Sequence, residues 1–312
     1  MKVTEKIKSG PILSIEILPP NRGQNMAEIY DVVDQLLDFP LDLISVTRHP
    51  PETTYLELPD KIIKIPKVKR PGSLGITAAL LKKYNLEVMP HVLCYGMSKY
   101  EIEDLLIDLN LLGIKNVFVI RGEYENQPPP ETRDEYQHAV ELVAHISNLN
   151  RGLYLYPCEK AYPTDFCIGV AGYPEKHVEA PNLNEDLRFL KAKIETGADF
   201  VITQMLFDFE VFKRFKEKLA ENSINIPLIP GIKPVVSLKT IYNLPGKFFI
   251  SIPDDFICQM KEARTEEDEF RTGIEYMSKL AEKLLLSGAA GLHIFTMGKG
   301  RAAKALLKAI YG

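Results

Sequence analysis

The sequence predicts one (β/α)8 TIM barrel with loop insertions, and three observations support this fold class. Short apolar segments typical of buried parallel strands alternate with amphipathic helical segments eight times along the chain. The length of 312 residues matches the ~250 residues of such barrels plus insertions. No glycine-rich dinucleotide turn follows the first strand, which disfavours the competing doubly wound open sheet. We therefore expect a single α/β domain that spans residues 1–312.

The predicted strands are short, apolar and rich in β-branched residues, as strands covered on both faces are. The clearest one starts at Asn116, three positions after the helix-ending Gly113, and is followed directly by Arg121 and Gly122. The predicted strands cover residues 12–18, 43–46, 86–93, 116–120, 166–171, 200–204, 227–232 and 291–295.

Each predicted strand is followed by a segment with the apolar spacing of an amphipathic helix. A proline-rich and charged stretch at 47–70 separates the second strand from its helix, and an irregular insertion occupies 150–165. Loops of this length usually carry function or are mobile. A broken helical stretch begins at Val236. The main helices are predicted at 26–37, 73–84, 100–112, 135–148, 184–196, 210–221, 266–286 and 302–309.

Composition excludes several classes of function. The formal net charge is -4, with Lys and Arg scattered among Asp and Glu, so no basic face for nucleic acid or membranes is expected. No run approaches the ~18 apolar residues of a membrane span, and the first residues do not resemble a signal peptide. The 4 cysteines lie far apart, which indicates neither a zinc site nor a redox dithiol. We expect a cytoplasmic, homo-oligomeric protein without a metal.

Polar residues stand at the carboxyl ends of the predicted strands. In a barrel these ends surround one mouth, so residues distant in sequence converge there. Such convergence predicts a ligand site. The residues are Glu16, Thr47, His91, Arg121 with Glu123, Tyr173 with His177, Gln204 and Thr296.

Glu16 is the strongest candidate for catalysis, because it interrupts an apolar strand between Ile15 and Ile17. It could be a carboxylate in water or paired with an arginine. We favour a partly desolvated acid that can donate a proton near neutral pH. His91 could be a core histidine or a ligand contact, and Gln204 could cap the barrel or recognise a heterocycle.

Two further features allow two interpretations each. Asp186 and Lys193 are seven residues apart on one predicted helix, so they share a face. They are either solvated charges or a binding pair. The segment 298–303 matches the dinucleotide fingerprint with Ala in the last place. No second strand and no acidic residue follow it, so we interpret it as a tight turn or as a phosphate-binding loop.

Several motifs occur together in one order, and through them the chain resembles the methylenetetrahydrofolate reductase family over nearly its whole length. Each motif alone is weak, but their joint order is specific. They are Ile15-Glu-Ile-Leu-Pro-Pro20, Arg121-Gly-Glu123, Ala171-Gly-Tyr-Pro-Glu-Lys-His177 with Glu179-Ala180, Gly197-Ala-Asp-Phe-Val-Ile-Thr-Gln204, Pro230-Gly-Ile232 and Gly291-Leu-His-Ile-Phe-Thr296.

This resemblance implies a flavin-binding barrel that reduces 5,10-methylenetetrahydrofolate to 5-methyltetrahydrofolate for methionine synthesis. FAD would take hydride from NADH or NADPH and pass it to the folate, with ping-pong kinetics. Glu16 would be the acid that promotes opening of the folate's bridging ring, and Gln204 would hydrogen-bond the pterin. Glu123 and Lys299 would also contact the substrate. The implied FAD contacts are Thr47, His91, Arg121, Gly122, Glu123, His138, Ala139, Ala171, Tyr173, His177, Ala180, Asp186 and Lys193.

The chain departs from the family pattern at three of these positions. Glu123 stands where the family usually has Asp, His138 replaces a frequent Tyr, and Lys299 stands where Arg is common. Because the chain stops after the barrel, no control by S-adenosylmethionine is expected. Two other function classes remain open: a flavin-independent barrel lyase or aldolase that uses Glu16 and His91 as acid and base, and a non-catalytic folate- or flavin-binding protein.

Overall fold

The computed structural model describes residues 1–122 and 134–312. Eight of the strands in these ranges close into a parallel barrel in the order β1-β10-β9-β8-β7-β6-β5-β2, and β3 and β4 form a separate two-stranded sheet. The strands are β1 (Ile12–Ile17), β2 (Leu41–Val46), β3 (Glu52–Leu58), β4 (Lys61–Lys67), β5 (Glu87–Leu93), β6 (Asn116–Ile120), β7 (Cys167–Gly172), β8 (Phe200–Met205), β9 (Leu228–Ile232) and β10 (Gly291–Phe295). The predicted fold class is confirmed.

Helices surround the barrel. Predicted and observed bounds agree within about two residues for most of them, and the long helix at 266–286 is reproduced without change. The described helices are α1 (Val3–Lys6), α2 (Ala27–Asp34), α3 (Ser73–Lys83), α4 (Lys99–Leu111), α5 (Ala139–Leu149), α6 (Leu183–Thr196), α7 (Phe209–Glu221), α8 (Leu238–Asn243), α9 (Asp254–Glu262), α10 (Glu266–Leu286) and α11 (Gly300–Tyr311).

The stretch predicted as a long loop at 47–70 contains an antiparallel hairpin, β3–β4. Its strands pair from Glu52 with Lys67 to Leu58 with Lys61, so a two-residue turn joins them. Tyr55 and Leu56 point to opposite faces of the hairpin and are both exposed, so the hairpin does not bury one face. The usual alternation of buried and exposed residues is therefore missing from the sequence, which explains why the hairpin was not predicted.

Helix α5 begins at Ala139, four residues later than predicted. The carboxylate of Glu141 accepts hydrogen bonds from the backbone N–H groups of Gln137 (2.7 Å) and His138 (3.1 Å). These bonds give partners to the backbone N–H groups just before the helix and fix His138 as the N-cap residue of α5.

Helix α1 closes the amino-terminal end of the barrel and was not predicted. Val3 is buried in the interior cluster of the barrel with residues such as Leu43 and Phe118. The side chain of buried Asn116, the first residue of β6, accepts a hydrogen bond from the Val3 backbone N–H (2.8 Å) and donates one to the Met1 carbonyl (3.0 Å). One amide side chain thus ties the chain terminus to a barrel strand.

The barrel interior is apolar next to helix α1, at the amino-terminal ends of the strands, and polar towards the carboxyl-terminal ends. Apolar side chains fill the lower layer, and Gly169 makes room there, because a Cβ at this position would lie 2.4 Å from the Phe200 ring. In β1 the inward positions change from Ile12 to Ser14 and Glu16 along the strand. The alternation of a strand therefore delivers polar groups to the carboxyl-end mouth.

The insertion at 150–165 is tied to the helical layer by a buried network. The Glu103 carboxylate accepts hydrogen bonds from the Leu155 backbone N–H (2.8 Å) and from His145 Nε2 (2.9 Å). The Tyr136 hydroxyl contacts the other His145 ring nitrogen at 2.7 Å.

None of the helices in the two described ranges is long and apolar enough to cross a membrane.

Candidate active site

A cavity of about 360 Å³ opens at the carboxyl ends of the barrel strands. Most of the strand-end residues singled out in the sequence meet there, as expected from the topology. Its lining includes Glu16, Thr47, His91, Arg121, Gly122, Ala171, Tyr173, His177 and Gln204.

Glu16 lies between two histidines. Its Oε2 atom is 3.9 Å from His91 Nε2 and 3.8 Å from His293 Nε2, and only 13% of its side chain is exposed. The side chain is therefore partly desolvated, as predicted, and its role as an acid stays a prediction. Glu16 is not in open water, and within residues 1–122 and 134–312 no arginine forms an ion pair with it.

Hydroxyl groups fix both imidazoles. Ser45 Oγ is 2.8 Å from His91 Nε2, and Ser14 Oγ is 2.7 Å from His293 Nδ1. Burial lowers the pKa of His91 to about 4, although the charge of Glu16 opposes this change. His91 is therefore neutral near pH 7 and does not neutralise the Glu16 carboxylate with a full positive charge.

His293 was missed as a site residue, although a signal for it exists. It interrupts the apolar strand β10 between Leu292 and Ile294, in the same way that Glu16 interrupts β1. Strand register places Ile15 beside Ile294, so the inward residues Glu16 and His293 lie on adjacent strands. The rule that marked Glu16 would have marked His293 as well.

The turn after β6 is held in a defined shape. Arg121 Nη2 lies 2.6 Å from Glu179 Oε2, and its guanidinium lies 5.6 Å from the centre of the Tyr95 ring. Gly122 has a φ of +85°, and a Cβ there would lie 2.9 Å from Leu93 Cδ2, so other residues are disfavoured. Glu123, predicted to contact both substrate and cofactor, lies outside the described residues.

Asp186 and Lys193 are not a solvated pair. The Asp186 carboxylate accepts a hydrogen bond from the His177 backbone N–H (2.9 Å), and Lys193 Nζ donates one to the Ala171 carbonyl (3.0 Å). Burial lowers the pKa of Lys193 to about 8 and raises the pKa of Asp186, while the attraction between the two charges opposes both changes. Both groups thus brace backbone that borders the cavity.

Other predicted site residues do not line the cavity. His138 and Ala139 lie at the start of α5, Ala180 accepts a hydrogen bond from Lys176, and Lys299 is the N-cap residue of α11. Their predicted contacts stay predictions.

Two strand-end side chains are occupied by neighbouring backbone. Thr296 was expected at the mouth, but its hydroxyl donates a hydrogen bond to the Glu16 carbonyl at 2.6 Å, so it closes the seam between β10 and β1. The Gln204 carbonyl oxygen accepts a hydrogen bond from the Met205 backbone N–H at 3.0 Å. Gln204 still lines the cavity.

Comparison with known proteins identifies the family of this chain. The family model described as methylenetetrahydrofolate reductase matches residues 2–311. The chain belongs to the methylenetetrahydrofolate reductase family. The resemblance expected from the motifs is thereby confirmed.

Named members of the methylenetetrahydrofolate reductase family align along the whole chain. Methylenetetrahydrofolate reductase 2 of Saccharomyces cerevisiae is 29% identical over 323 residues, which cover 99% of this chain and 49% of the yeast protein. Methylenetetrahydrofolate reductase 1 of Schizosaccharomyces pombe is 25% identical over 99% of this chain and 48% of its own length. The chain thus spans about half the length of these relatives. The 5,10-methylenetetrahydrofolate reductase of Buchnera aphidicola is 25% identical, with 99% of this chain and 92% of that protein aligned.

A solved structure shares the fold. A protein from Clostridium thermocellum, described as binding two copies of 5-methyl-5,6,7,8-tetrahydrofolic acid, superposes with a TM-score of 0.61. It is 16% identical, and the superposition covers 99% of this chain and 98% of that protein. At this identity the match supports the barrel fold alone.

The flavin that the family resemblance implies can be tested against the cavity. Thr47 Oγ1 and His91 Nδ1 are buried and have no hydrogen-bond partner among the described residues. Both residues line the cavity and both were predicted as FAD contacts. Buried polar atoms without partners are costly, so a ligand that offers hydrogen bonds fits here. Lys193 lies behind the cavity wall at the Ala171 carbonyl as a nearby cation, so these groups are compatible with a ligand such as FAD.

Proposed function

We propose that this chain reduces 5,10-methylenetetrahydrofolate to 5-methyltetrahydrofolate, with FAD as cofactor and NADH or NADPH as electron donor. The observation that carries the proposal is the Glu16 carboxyl group, enclosed between two histidines on the wall of the cavity at the carboxyl ends of the barrel strands. Membership of the methylenetetrahydrofolate reductase family supports the reaction. The product would feed methionine synthesis.

Glu16 would act on the folate as a general acid. Reduction of the bridging methylene carbon requires one of its two C–N bonds to break first, and a proton on the departing nitrogen favours that step. The product of ring opening is an iminium, which carries positive charge. A carboxylate left behind by the proton would then stabilise this cation, so one residue serves both steps.

Two histidines flank the Glu16 carboxyl group, at 3.9 and 3.8 Å. His91 is neutral, so its ring nitrogens carry no full charge. The proton of the Glu16 carboxyl group would therefore stay available for the substrate. The hydroxyl groups of Ser14 and Ser45 fix the imidazole orientations. Gln204 lines the cavity, and we propose that its amide hydrogen-bonds the pterin.

The cofactor would be held by the half of the barrel that contains β2, β5, β6 and β7. Thr47, His91 and Arg121 line the cavity on this side, and Lys193 lies behind it at the Ala171 carbonyl. A lysine in this position can neutralise a pyrophosphate. When bound, FAD supplies hydride transfer from the nicotinamide to the folate, and the protein contributes position and charge.

An anaerobic absorbance titration tests the proposal. We expect the purified chain to carry, or to take up, a flavin spectrum, which NADH or NADPH bleaches and methylenetetrahydrofolate restores. Glu16→Gln should keep the bleaching step and lose on the order of 10² to 10⁴ in the rate of reoxidation by folate, because it removes a general acid. Glu28→Gln, an exposed site on α2, is the matched control and should behave as wild type.

Each failure has its own meaning. A colourless protein that gains no flavin spectrum with FAD would overturn the reductase proposal and favour the flavin-independent lyase. A flavoprotein that nicotinamides do not bleach would indicate a binding protein. Equal loss of both half-reactions in Glu16→Gln would contradict the proposed role of Glu16 as the acid. It would not contradict the proposal that the wild-type chain reduces methylenetetrahydrofolate.

A further inference from the structure

Two loops at the mouth of the barrel are joined to each other across the end of β8. Glu175 lies in the loop after β7, and Ser251 lies in the segment between α8 and α9. The two carboxylate oxygens of Glu175 accept hydrogen bonds from the Ser251 backbone N–H (2.9 Å) and the Ser251 hydroxyl (2.9 Å). Because the strand order is β9-β8-β7, this contact bridges the loops on either side of β8. The proposed mechanism uses neither residue.

The next residue makes a second contact between the same loops. Lys176 Nζ lies 4.1 Å from the centre of the Phe249 ring, within the range of a cation–π interaction, and donates a hydrogen bond to the Ala180 carbonyl at 2.8 Å. The Lys176 backbone has a φ of +129°, which side chains rarely allow. Such a conformation persists only where the surroundings fix it, often at ligand clamps. We call the Glu175–Ser251 and Lys176–Phe249 contacts the latch.

The latch holds a segment that brings an aromatic ring to the cavity. Phe248 lines the cavity and packs against the core with part of its surface. Its backbone N–H donates a hydrogen bond to the Leu244 carbonyl at 3.0 Å, and Leu244 and Ile250 are buried on either side of it. The segment is therefore anchored at both ends, and the latch fixes it towards the loop after β7.

The place of Phe248 in the mouth narrows the kind of ligand. Gln204, near the carboxyl end of β8, lines the same cavity, and the latch bridges the loops beside this strand. An amide offers a donor and an acceptor to the edge of a heterocycle, whereas a phenyl ring offers a face for packing. A planar heteroaromatic ring uses both groups at once. The folate and the pyridine nucleotide of the proposed reaction each carry such a ring.

We propose that Phe248 packs against the heteroaromatic ring of a substrate, and that Glu175 and Lys176 are positioning residues that hold Phe248 through the latch. This inference rests on the proposed function, because it assumes that a folate or a pyridine nucleotide occupies the cavity. The loop that carries Glu175 and Lys176 also carries Tyr173 and His177, which line the cavity and are proposed flavin contacts. The latch thus joins the flavin side of the mouth to the substrate side.

Anaerobic calorimetry on the FAD-loaded chain tests the contact with the ring. The ligands are 5-methyltetrahydrofolate and NAD⁺. We expect Phe248→Leu to weaken binding of the ring ligand about threefold to tenfold, as for loss of one aromatic contact. Phe248→Tyr keeps the ring and should retain the affinity. Tyr162→Leu, at an exposed aromatic residue far along the chain from the latch, is the matched control.

The two ligands separate the two sources of the ring. Weaker binding of 5-methyltetrahydrofolate alone would identify the folate ring, and weaker binding of NAD⁺ alone would identify the nicotinamide. Weaker binding of both would show that the two rings occupy the same place in turn. Each of these results supports the inference.

Variants of the latch test the positioning role. Glu175→Ala removes the acceptor of both hydrogen bonds and should weaken the same ligand, Ser251→Ala removes one bond and should weaken it less, and Ser251→Thr should bind as wild type. In turnover, KM for that substrate should rise while kcat stays near wild type, because the ring contact exists both before and during the reaction. Glu282→Ala, at an exposed position on α10, is the matched control.

Amide hydrogen exchange gives a readout that does not depend on turnover. In Glu175→Ala and Lys176→Met the amides of residues 246–252 should exchange faster than in wild type, because fewer contacts hold this segment closed. The ring ligand should slow exchange of the same amides in the wild-type chain. Lys283→Met, at an exposed lysine on α10, should leave the exchange of this segment unchanged.

Affinities in Phe248→Leu and Glu175→Ala that equal those of the controls would overturn the inference, even if exchange becomes faster, because the latch would then have a structural role only. If such a protein still reduces methylenetetrahydrofolate, the proposed function stands without the inference. If the variants lose affinity in a chain that does not catalyse reduction, the inference stands and the proposed function fails. If the wild-type chain binds neither ligand, both are wrong.

Discussion

At the scale of single residues, the site depends on groups whose charge is set by burial. His91 is packed against Phe118, with ring centres 4.9 Å apart, and is almost fully enclosed. It therefore stays neutral where an exposed histidine would begin to titrate. A neutral His91 beside Glu16 leaves the carboxyl group as the charged or proton-donating partner, which is what an acid catalyst needs.

Burial of His91 predicts a defined pH dependence of stability. Its pKa is about 4 in the folded chain, against 6.5 for an unperturbed histidine. Between these values the unfolded chain binds the extra proton, so the free energy of unfolding should fall as pH decreases from 6.5 to 4. The contribution of His91 is up to about 3 kcal/mol. Glu16 opposes this effect, and His293 and His49 add to it.

Urea unfolding at several pH values measures this contribution. In His91→Gln the loss of stability between pH 6.5 and 4 should be smaller than in wild type, whatever the absolute stability of the variant. His138→Gln, at an exposed histidine, should retain the wild-type slope. Parallel slopes for wild type and His91→Gln would show that His91 is not buried neutral in the folded chain.

The sequence revealed some site residues and concealed others for a simple reason. Glu16 was predicted because a charged residue inside an apolar strand is conspicuous. His293 obeys the same rule, but a histidine within an apolar strand resembles a core residue. The hydrogen bonds of Ser14 and Ser45 to the two histidines join different strands, so neither could be inferred from spacing along the chain.

At the scale of elements, burial decided what could be predicted. The barrel strands are covered on both faces, so their apolar runs predicted all eight of them. The hairpin β3–β4 exposes apolar residues on both sides, and α1 has only four residues, so neither left a periodic pattern. The predicted start of α5 is too early, because the hydrogen bonds to Glu141 fix the start of the helix after His138. The residues just before His138 therefore lie outside the helix, although their types are compatible with one.

Asn116 links two of these elements and predicts a stability effect. Its side chain is fully buried and satisfies both the Val3 N–H and the Met1 carbonyl. Asn116→Ala would leave these backbone groups without partners at the base of the barrel. We expect a loss of about 1–3 kcal/mol in the free energy of unfolding, measured with urea.

Asn184→Ala, at an exposed position near the start of α6, is the matched control and should change stability by less than about 0.5 kcal/mol. A variant in which residues 1–9 are removed should lose at least as much stability as Asn116→Ala. If both changes leave stability as in wild type, α1 does not contribute to the stability of the barrel.

At the scale of the whole molecule, the barrel brings together residues from across the sequence and divides them into two halves. The order β1-β10-β9-β8-β7-β6-β5-β2 places Glu16 beside His293 although 277 positions separate them. This convergence follows from eight-fold alternation alone, which is why the composition of the mouth was predictable. Distances and hydrogen-bond partners within the mouth depend on strand stagger, which the sequence does not encode in any local pattern.

The division into halves predicts how cofactor and chain stabilise each other. FAD would bridge segments after β2, β5, β6 and β7, and so bind only the folded chain. A ligand of that kind stabilises by about 2.7 kcal/mol at a hundredfold excess over its dissociation constant. We expect removal of FAD to lower the melting temperature by roughly 5 °C, and re-addition of FAD to restore it.

Variants connect this thermal shift to the site. Lys193→Met should remove most of the shift produced by FAD, because Lys193 is the cation at the Ala171 carbonyl beside the proposed flavin position. Lys213→Met, at an exposed lysine on α7, should retain the full shift. An equal shift in both variants would place the cofactor away from Lys193 and would leave the two buried charges on α6 with a purely structural role.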